Sequence, residues 1–280
     1  LLVDKLGRRG VLIVGFGARA EHAAAATGCD FWLDASQPGL VAGAPAASLL
    51  AVAHLWTFTG EFVAACLRRG QMPTIWQSIE LPGSVARNVR YLPLRTHADL
   101  RAEPVLAGQL ARAYLDSLQR CLRSFRQNQW EHLEVAGRLM STVRHNGGTA
   151  YACPLGGHLR PNLLSLPGVA PGMLELSRSA TPADLAHLLR SGDLLYIQGY
   201  TEPPIDLLDT ATAVGAFALL SLARADGEAP DVESADVVLD AQWRLGDAAV
   251  PLPGYDVRLL PVSGFMAGAI YWALVLAGGP

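Results

Sequence analysis

One order of elements occurs twice in this chain, and a repeat restricts the fold more than any single motif. Gly28-Cys29-Asp30-Phe31-Trp32-Leu33-Asp34-Ala35 aligns with Ser234-Ala235-Asp236-Val237-Val238-Leu239-Asp240-Ala241. Each is a short β-branched or aromatic run between aspartates. Without a gap, the apolar run 11–16 then falls opposite 217–222. Downstream, Pro45 and Trp56 are eleven residues apart, as are Pro261 and Trp272. Each pair brackets a small-residue apolar segment with a serine near its start, Ser48 and Ser263. Strand, acid-ended strand and proline-led apolar helix therefore recur in order. This predicts a partial copy over 1–100 and a whole unit over 101–280.

The chain is apolar: 51% of its 280 residues are hydrophobic and 17% charged, with a net charge of −3. That length suits about two domains at roughly 100–200 residues each, with cores that need no disulfide or metal staple. The composition excludes disorder, which needs low hydrophobicity and high charge. It also lacks the basic surplus of a general nucleic-acid binder. No Asp, Glu, Lys or Arg occurs over 35–60, or from 259 to the end, and ~20 such residues can cross a bilayer. Both stretches are rich in Ala and Gly, lack an orienting basic flank, and follow a core strand in the repeat. They are expected to be buried helices, with no membrane partner. Cys29, Cys66, Cys121 and Cys153 form no CxxC pair and read as the reduced thiols of a cytoplasmic protein. Asp4, Lys5, Arg8 and Arg9 interrupt the start, so no secretory leader is expected. The histidines show no metal spacing, and neither metal nor cofactor is expected.

The second unit alternates helices and strands. Leu106, Leu110, Tyr114, Leu118, Leu122 and Phe125 form a helical stripe. A polar break at 126–129 follows, and Leu133, Ala136, Leu139 and Val143 restart the stripe before Asn146-Gly147-Gly148 caps it. A strand is expected at 149–153, then a turn at Leu155-Gly156-Gly157-His158. Thr181-Pro182-Ala183-Asp184 has the form of a capping box with proline at the first helical position. Strands at 194–198, 217–222 and 237–240, with a helix at 205–214, complete the unit. Strands spaced by helices imply an α/β three-layer sandwich around a parallel five-stranded sheet of flavodoxin type, with ligands at the strand carboxyl ends. In the first unit a helix from Pro45 to Arg69 stops at Gly70. A strand at 74–79, a Pro82-Gly83 turn and a further apolar run at 89–94 follow. Every basic residue from Arg87 to Arg126 is arginine, with Asp99, Glu103 and Asp116 interspersed, which reads as a solvated face.

Several short motifs of 105–280 occur in the order of a known family. They are Asn146-Gly147-Gly148 before a strand, Gly157-His158 after it, Gly192-Asp193 opening the next strand, and Ala235-Asp236-Val237-Val238-Leu239-Asp240. Gly246-Asp247-Ala248 and Pro261-Val262-Ser263 at the last helix follow. In this the chain resembles the sugar isomerase (SIS) domain family, in particular uncharacterised bacterial phosphosugar-binding and phosphoheptose-isomerase-like members. The first copy resembles the family's closing segment, with Arg69-Gly70-Gln71-Met72-Pro73, Ser78 and Asn88 in order. The resemblance implies a phosphorylated sugar bound across the strand ends. Ser and Thr hydroxyls in two loops and N–H groups at a helix start hold the phosphate, as the helix dipole favours. It further implies a Glu or His base in the isomerases, and a homo-oligomer (dimer or tetramer).

Both phosphate loops depart from that pattern. Where relatives carry Gly-x-Gly-His-Ser, this chain has Leu155-Gly156-Gly157-His158-Leu159; where they carry Ser-x-Ser-Gly, it has Gln198-Gly199-Tyr200-Thr201-Glu202. Hydrogen bonds to charged groups are worth ~1.5–3 kcal/mol, so losing two or three weakens phosphate binding by roughly two to six orders of magnitude. The expected substrate-binding residues are Gly156, Gly157, His158, Arg160, Gln198, Tyr200, Thr201 and Ser263. Arg160 is a candidate bidentate fork in place of a hydroxyl. His158, Glu131 and Glu134 are the candidate catalytic acids and bases. Asp247 reads as a turn residue. A sugar-phosphate isomerase with degenerate loops, or a non-catalytic sensing or assembly protein, fits this set. An alternative is an NAD(P)-binding Rossmann-type protein, because Val14-Gly15-Phe16-Gly17 ends a strand and Asp34 ends the next. The aligned second copy lacks both glycines.

Overall fold

The computed structural model describes residues 13–17, 26–34, 45–155, 172–200, 202–224 and 232–279. No hairpin sets the register of a parallel strand pair, and here an aspartate helps to fix it. In the first copy β1 (Val14–Gly17) pairs in parallel with β2 (Phe31–Asp34). Just ahead of β2, Ile13 N donates to the Asp30 carboxylate at 2.8 Å, and Asp30 N donates to Ile13 O at 2.9 Å. The aligned acid in the second copy makes the same exchange. Ala218 N donates to the Asp236 carboxylate at 2.7 Å, and Asp236 N donates to Ala218 O at 2.9 Å. The partners lie 17 positions apart at β1 and 18 at β6, so the same exchange is made with a spacing that differs by one residue.

The first copy continues into α1 (Pro45–Arg68) and α2 (Ser84–Tyr91). The second begins with α3 (Gln109–His145), followed by β3 (Ala150–Pro154), β4 (Leu174–Glu175) and α4 (Pro182–Leu188). Next come β5 (Leu194–Gln198), α5 (Ile205–Ala213), β6 (Phe217–Arg224) and β7 (Val237–Arg244). The chain ends in an antiparallel pair, β8 (Ala248–Val250) with β9 (Leu259–Pro261), and α6 (Ser263–Ala277). The main sheet has the order β4-β3-β5-β6-β7, and every neighbouring pair is parallel. Numbered within the sheet, that is the 2-1-3-4-5 order of flavodoxin-like proteins, whose switch point lies between β3 and β5.

Side-chain alternation builds the three layers. On β5, Leu194 and Tyr196 face a core shared with Tyr114, Met140, Ile270 and Leu274 of α3 and α6. Leu195 and Ile197 face Leu185, Leu208 and Ala211 of α4 and α5. Val63, Ala64 and Leu67 of α1 belong to the first of these cores, where α1 packs against α3 and α6 on the outside of that helix layer. The capping box forms as the sequence predicts: Asp184 N donates to Thr181 Oγ1 at 3.2 Å and Thr181 N donates to the Asp184 carboxylate at 2.9 Å. Asp193 of the Gly192-Asp193 motif accepts from Thr149 N and Arg190 N, both at 2.8 Å, and thereby ties the start of β3 to that of β5.

Four expectations need correction. Residues 74–79 form no strand, because their backbone groups are met by side chains: Gln77 N donates to Asn88 Oδ1 at 2.9 Å, Asn88 Nδ2 to Gln77 O at 2.8 Å, Ile75 N to Tyr255 Oη at 3.2 Å, and Arg87 Nη1 to Ile75 O at 2.8 Å. Much of the 89–94 run is the end of α2 rather than a strand. The polar break at 126–129 does not interrupt α3, since Arg and Gln are good helix formers and buried Gln129 accepts from Asp240 N of β7 at 3.0 Å. Finally, the two apolar helices differ. Most of α6 is buried, whereas α1 exposes Leu55, Phe58 and Phe62, the last 55% exposed. By length and composition α1 is also apolar enough to cross a membrane. Its counterpart is buried because α3 and the sheet enclose it.

Candidate functional site

Parallel sheets leave their carboxyl ends open to ligands, and the larger cavity lies there. It encloses about 810 Å³ between α1, residues 74–81, and the segments after β7 and around β9. Trp56 and Trp76 supply aromatic walls, and Gln77, Ser78, Asp247, Asp256 and Arg258 supply polar groups. The Thr74 hydroxyl, also in this wall, is buried without a hydrogen-bond partner among the described residues. A second cleft of about 420 Å³ adjoins it and shares Leu245, Asp247, Ala248 and Arg258.

Tyr200 joins the switch-point strand to this cavity. Its phenol oxygen accepts from Gly246 N at 3.1 Å and lies 3.4 Å from Ser78 Oγ. The ring packs edge-on against Trp243, with centroids 4.9 Å apart. Burial pushes the phenol above its usual pKa, while the Ser78 contact pulls it back part of the way. Ser263 lies at the start of α6, and its hydroxyl donates to the Asp247 carboxylate. Burial pushes that carboxyl up to about 6, with the Ser263 hydrogen bond opposing the rise. Asp247 forms the β7–β8 turn, as its chemistry predicts, and also presents a carboxyl to both cavities.

Strained backbone collects at the same place. Among the described residues, Gln242 (φ 60°), Asp247 (φ 44°) and Leu260 (φ 64°) are the non-glycine residues in the left-handed region. All three line one or both cavities. Each such conformation costs of order 1–3 kcal/mol and persists where the surroundings enforce it.

A polar network pins the outer wall. Arg87 donates to the Asp256 carboxylate at 2.6 and 2.7 Å and to Tyr255 Oη at 3.2 Å. Hydrogen bonding to Asp256 holds the Arg87 guanidinium above its usual pKa, and the same bond holds the Asp256 carboxyl below its own. Tyr255 Oη in turn lies 3.1 Å from Nε2 of buried His97, whose Nδ1 is 3.4 Å from Asp99. Arg87 is therefore part of a wall, not of the solvated face its composition suggested.

Of the residues picked out in the sequence, the structure brings together Tyr200 and Ser263 around Gly246-Asp247. Gln198 is buried at the end of β5, with Nε2 donating to Gly199 O at 2.7 Å. Gly156, Gly157, His158, Arg160 and Thr201 lie outside the described residues. Glu131 and Glu134 are exposed on α3 and line neither cavity; Glu134 accepts from Trp130 Nε1 at 2.9 Å and lies 4.0 Å from Arg138. Of the dinucleotide candidates, Gly15 is explained by packing: a Cβ there would stand 2.3 Å from the Trp32 ring. Gly17 O accepts from Trp32 Nε1 at 3.2 Å, and Asp34 is exposed at the end of β2. Sequence reasoning missed Thr74, Asp256 and Arg258. One signal for the last two was present: they are the sole charged residues between Asp247 and the C-terminus.

The fold and its open carboxyl edge define an α/β protein with flavodoxin-like strand order. No family model matches the sequence. A UPF0309 protein of Streptomyces griseus is 25% identical over 206 residues, covering 61% of this chain and 82% of its own. Similar solved structures include phosphoheptose isomerases from Francisella tularensis (12% identity, TM-score 0.41, 62% of this chain and 98% of that one) and Neisseria gonorrhoeae (14%, 0.41, 60% and 94%). Another is the sugar isomerase domain of an RpiR transcription factor from Sphaerobacter thermophilus (16%, 0.38, 61% and 89%).

Proposed function

We propose that the chain is a phosphosugar-binding protein of the SIS type, with the ligand in the larger cavity. The observation that carries this reading is the Tyr200–Ser78–Gly246 junction, which connects the switch-point strand to a cavity with aromatic walls and hydroxyl, amide and carboxyl groups. Tryptophan faces suit the apolar face of a sugar ring, and the polar groups suit its hydroxyls. The motif resemblance of 105–280 supports the same ligand class. On this reading residues 1–100 are the closing part of one SIS unit and 101–280 a whole one, and His158, Thr201 and Arg160 are the sequence's further candidates for ligand contacts.

Because Glu131 and Glu134 line neither cavity, the reading is of binding for sensing or assembly, with His158 the candidate if turnover occurs. The exposed face of α1, with Leu55, Phe58 and Phe62, supports a homo-oligomer, and cysteines that form no disulfide among the described residues suit a reducing cytoplasm. The test is a thermal-shift panel of aldose and ketose phosphates against the matching free sugars and NAD(P). A saturable shift with a sugar phosphate supports the reading, and a flat phosphosugar panel overturns it. Isomerisation of a bound sugar phosphate, lost in His158→Asn, would make the protein an isomerase.

A further inference from the structure

The smaller cleft has a composition that the sugar-binding reading leaves unused. Arg120 from α3, Arg244 at the end of β7 and Arg258 before β9 all line it, with Ser117, Gln242 and a single carboxyl, that of Asp247. Three guanidiniums against one carboxylate leave a surplus of two positive charges. Arg120 is set in place by Ser117, to whose Oγ its Nη2 donates at 2.8 Å. Arg258 is anchored on β8, its Nε donating to Ala248 O at 3.1 Å and its Nη2 to Ala249 O. The Arg244 side chain has no hydrogen-bond or ion-pair partner among the described residues.

We infer that this cleft is an anion subsite for the phosphate of a phosphorylated ligand, held by Arg120, Arg244 and Arg258 in place of the hydroxyl loops. The inference rests on the proposed phosphosugar reading and deepens it. Three observations carry it. A phosphate monoester carries ≈ −1.5 to −2 charges near neutral pH, which matches the surplus. Guanidinium forks bind phosphate oxygens in pairs, a geometry that hydroxyls do not supply. The cleft also shares Asp247, Ala248 and Arg258 with the larger cavity, so one ligand can place its ring in the first and its phosphate in the second. The departure of Leu155-Gly156-Gly157-His158-Leu159 and Gln198-Gly199-Tyr200-Thr201-Glu202 from the family's serine-bearing loops is then a relocation of phosphate binding.

The test uses the full chain and inorganic phosphate, titrated by calorimetry against sodium chloride of matched ionic strength. Saturable phosphate binding is expected, and Arg120→Gln and Arg244→Gln should each weaken it about 10- to 100-fold. Both are exposed positions, and unchanged melting temperatures without phosphate show that the variants fold. Binding no stronger than the chloride control, or unaffected by both substitutions, overturns the inference. The two readings fail separately. A sugar phosphate that binds with affinity indifferent to both arginines overturns the subsite and leaves the phosphosugar reading standing. Arginine-dependent phosphate binding with no sugar phosphate bound overturns the phosphosugar reading and supports the subsite.

Discussion

Arg87 and Asp256, 169 positions apart in the chain, form a two-point ion pair at 2.6 and 2.7 Å across the outer wall of the larger cavity. The Arg87 side chain is only 13% exposed and Asp256 is 40% exposed, so the pair is worth more than a surface bridge and less than a buried one. Arg87→Ala also frees Ile75 O and Tyr255 Oη. It should cost about 2 kcal/mol in urea unfolding. A double-mutant cycle with Asp256→Asn should return a coupling of about 1 kcal/mol; a coupling near zero would show that the wall is held by other contacts.

Asp247 predicts a pH dependence. Its carboxyl rises from 3.8 to about 6 on folding, so the folded state holds this proton more tightly than the unfolded chain. Its contribution therefore declines as pH rises from about 4 to 6, and stays lowered above. At 1.36 kcal/mol per pKa unit the loss is about 3 kcal/mol. Asp247→Asn should match the natural protein at pH 4 and exceed it by up to that amount at pH 7. Equal stability at both values would show that the carboxyl is not desolvated.

Tyr200→Phe tests the junction at the switch point. Without the phenol, Gly246 N loses its acceptor, at a cost of about 1–3 kcal/mol if it stays dry. Weaker sugar-phosphate binding in a folded variant is the expected result. Full affinity would detach the cavity from β5.

Gly15 separates packing from dinucleotide recognition. With Trp32 ring atoms 2.3 and 2.5 Å from a built Cβ, Gly15→Ala should lower the melting temperature equally with and without NAD, at a cost of about 1–3 kcal/mol. A fall confined to the NAD-loaded protein would restore the dinucleotide reading.

The sheet was legible because its signals are local and periodic. The buried run 194–198 and the box at Thr181-Asp184 each carry their information within a few residues, and both occur as expected. The 74–79 segment was misread for the opposite reason. Its β-branched and aromatic residues suit a strand, but what satisfies its backbone comes from Asn88, Arg87 and Tyr255, and no window contains all of these. The Gly-x-Gly at 15–17 shows a different ambiguity: a phosphate and a tryptophan ring both demand a residue without Cβ. The site was half legible. Tyr200 and Ser263 stood out from the resemblance, whereas Thr74 and Arg258 become neighbours only when residues 56–81 close on 245–261, and Arg120 meets Arg258 only when α3 packs against the β7–β9 segments.

That closure has a thermodynamic consequence. The larger cavity takes one wall from residues 56–81 and another from 245–261, so whatever fills it is bound by both at once and by neither alone. Such a ligand acts as a bolt between the halves of the polypeptide. At a hundred times its dissociation constant it adds about 2.7 kcal/mol to the assembled state. Protease resistance of the first hundred residues would then rise and fall with the concentration of a small metabolite.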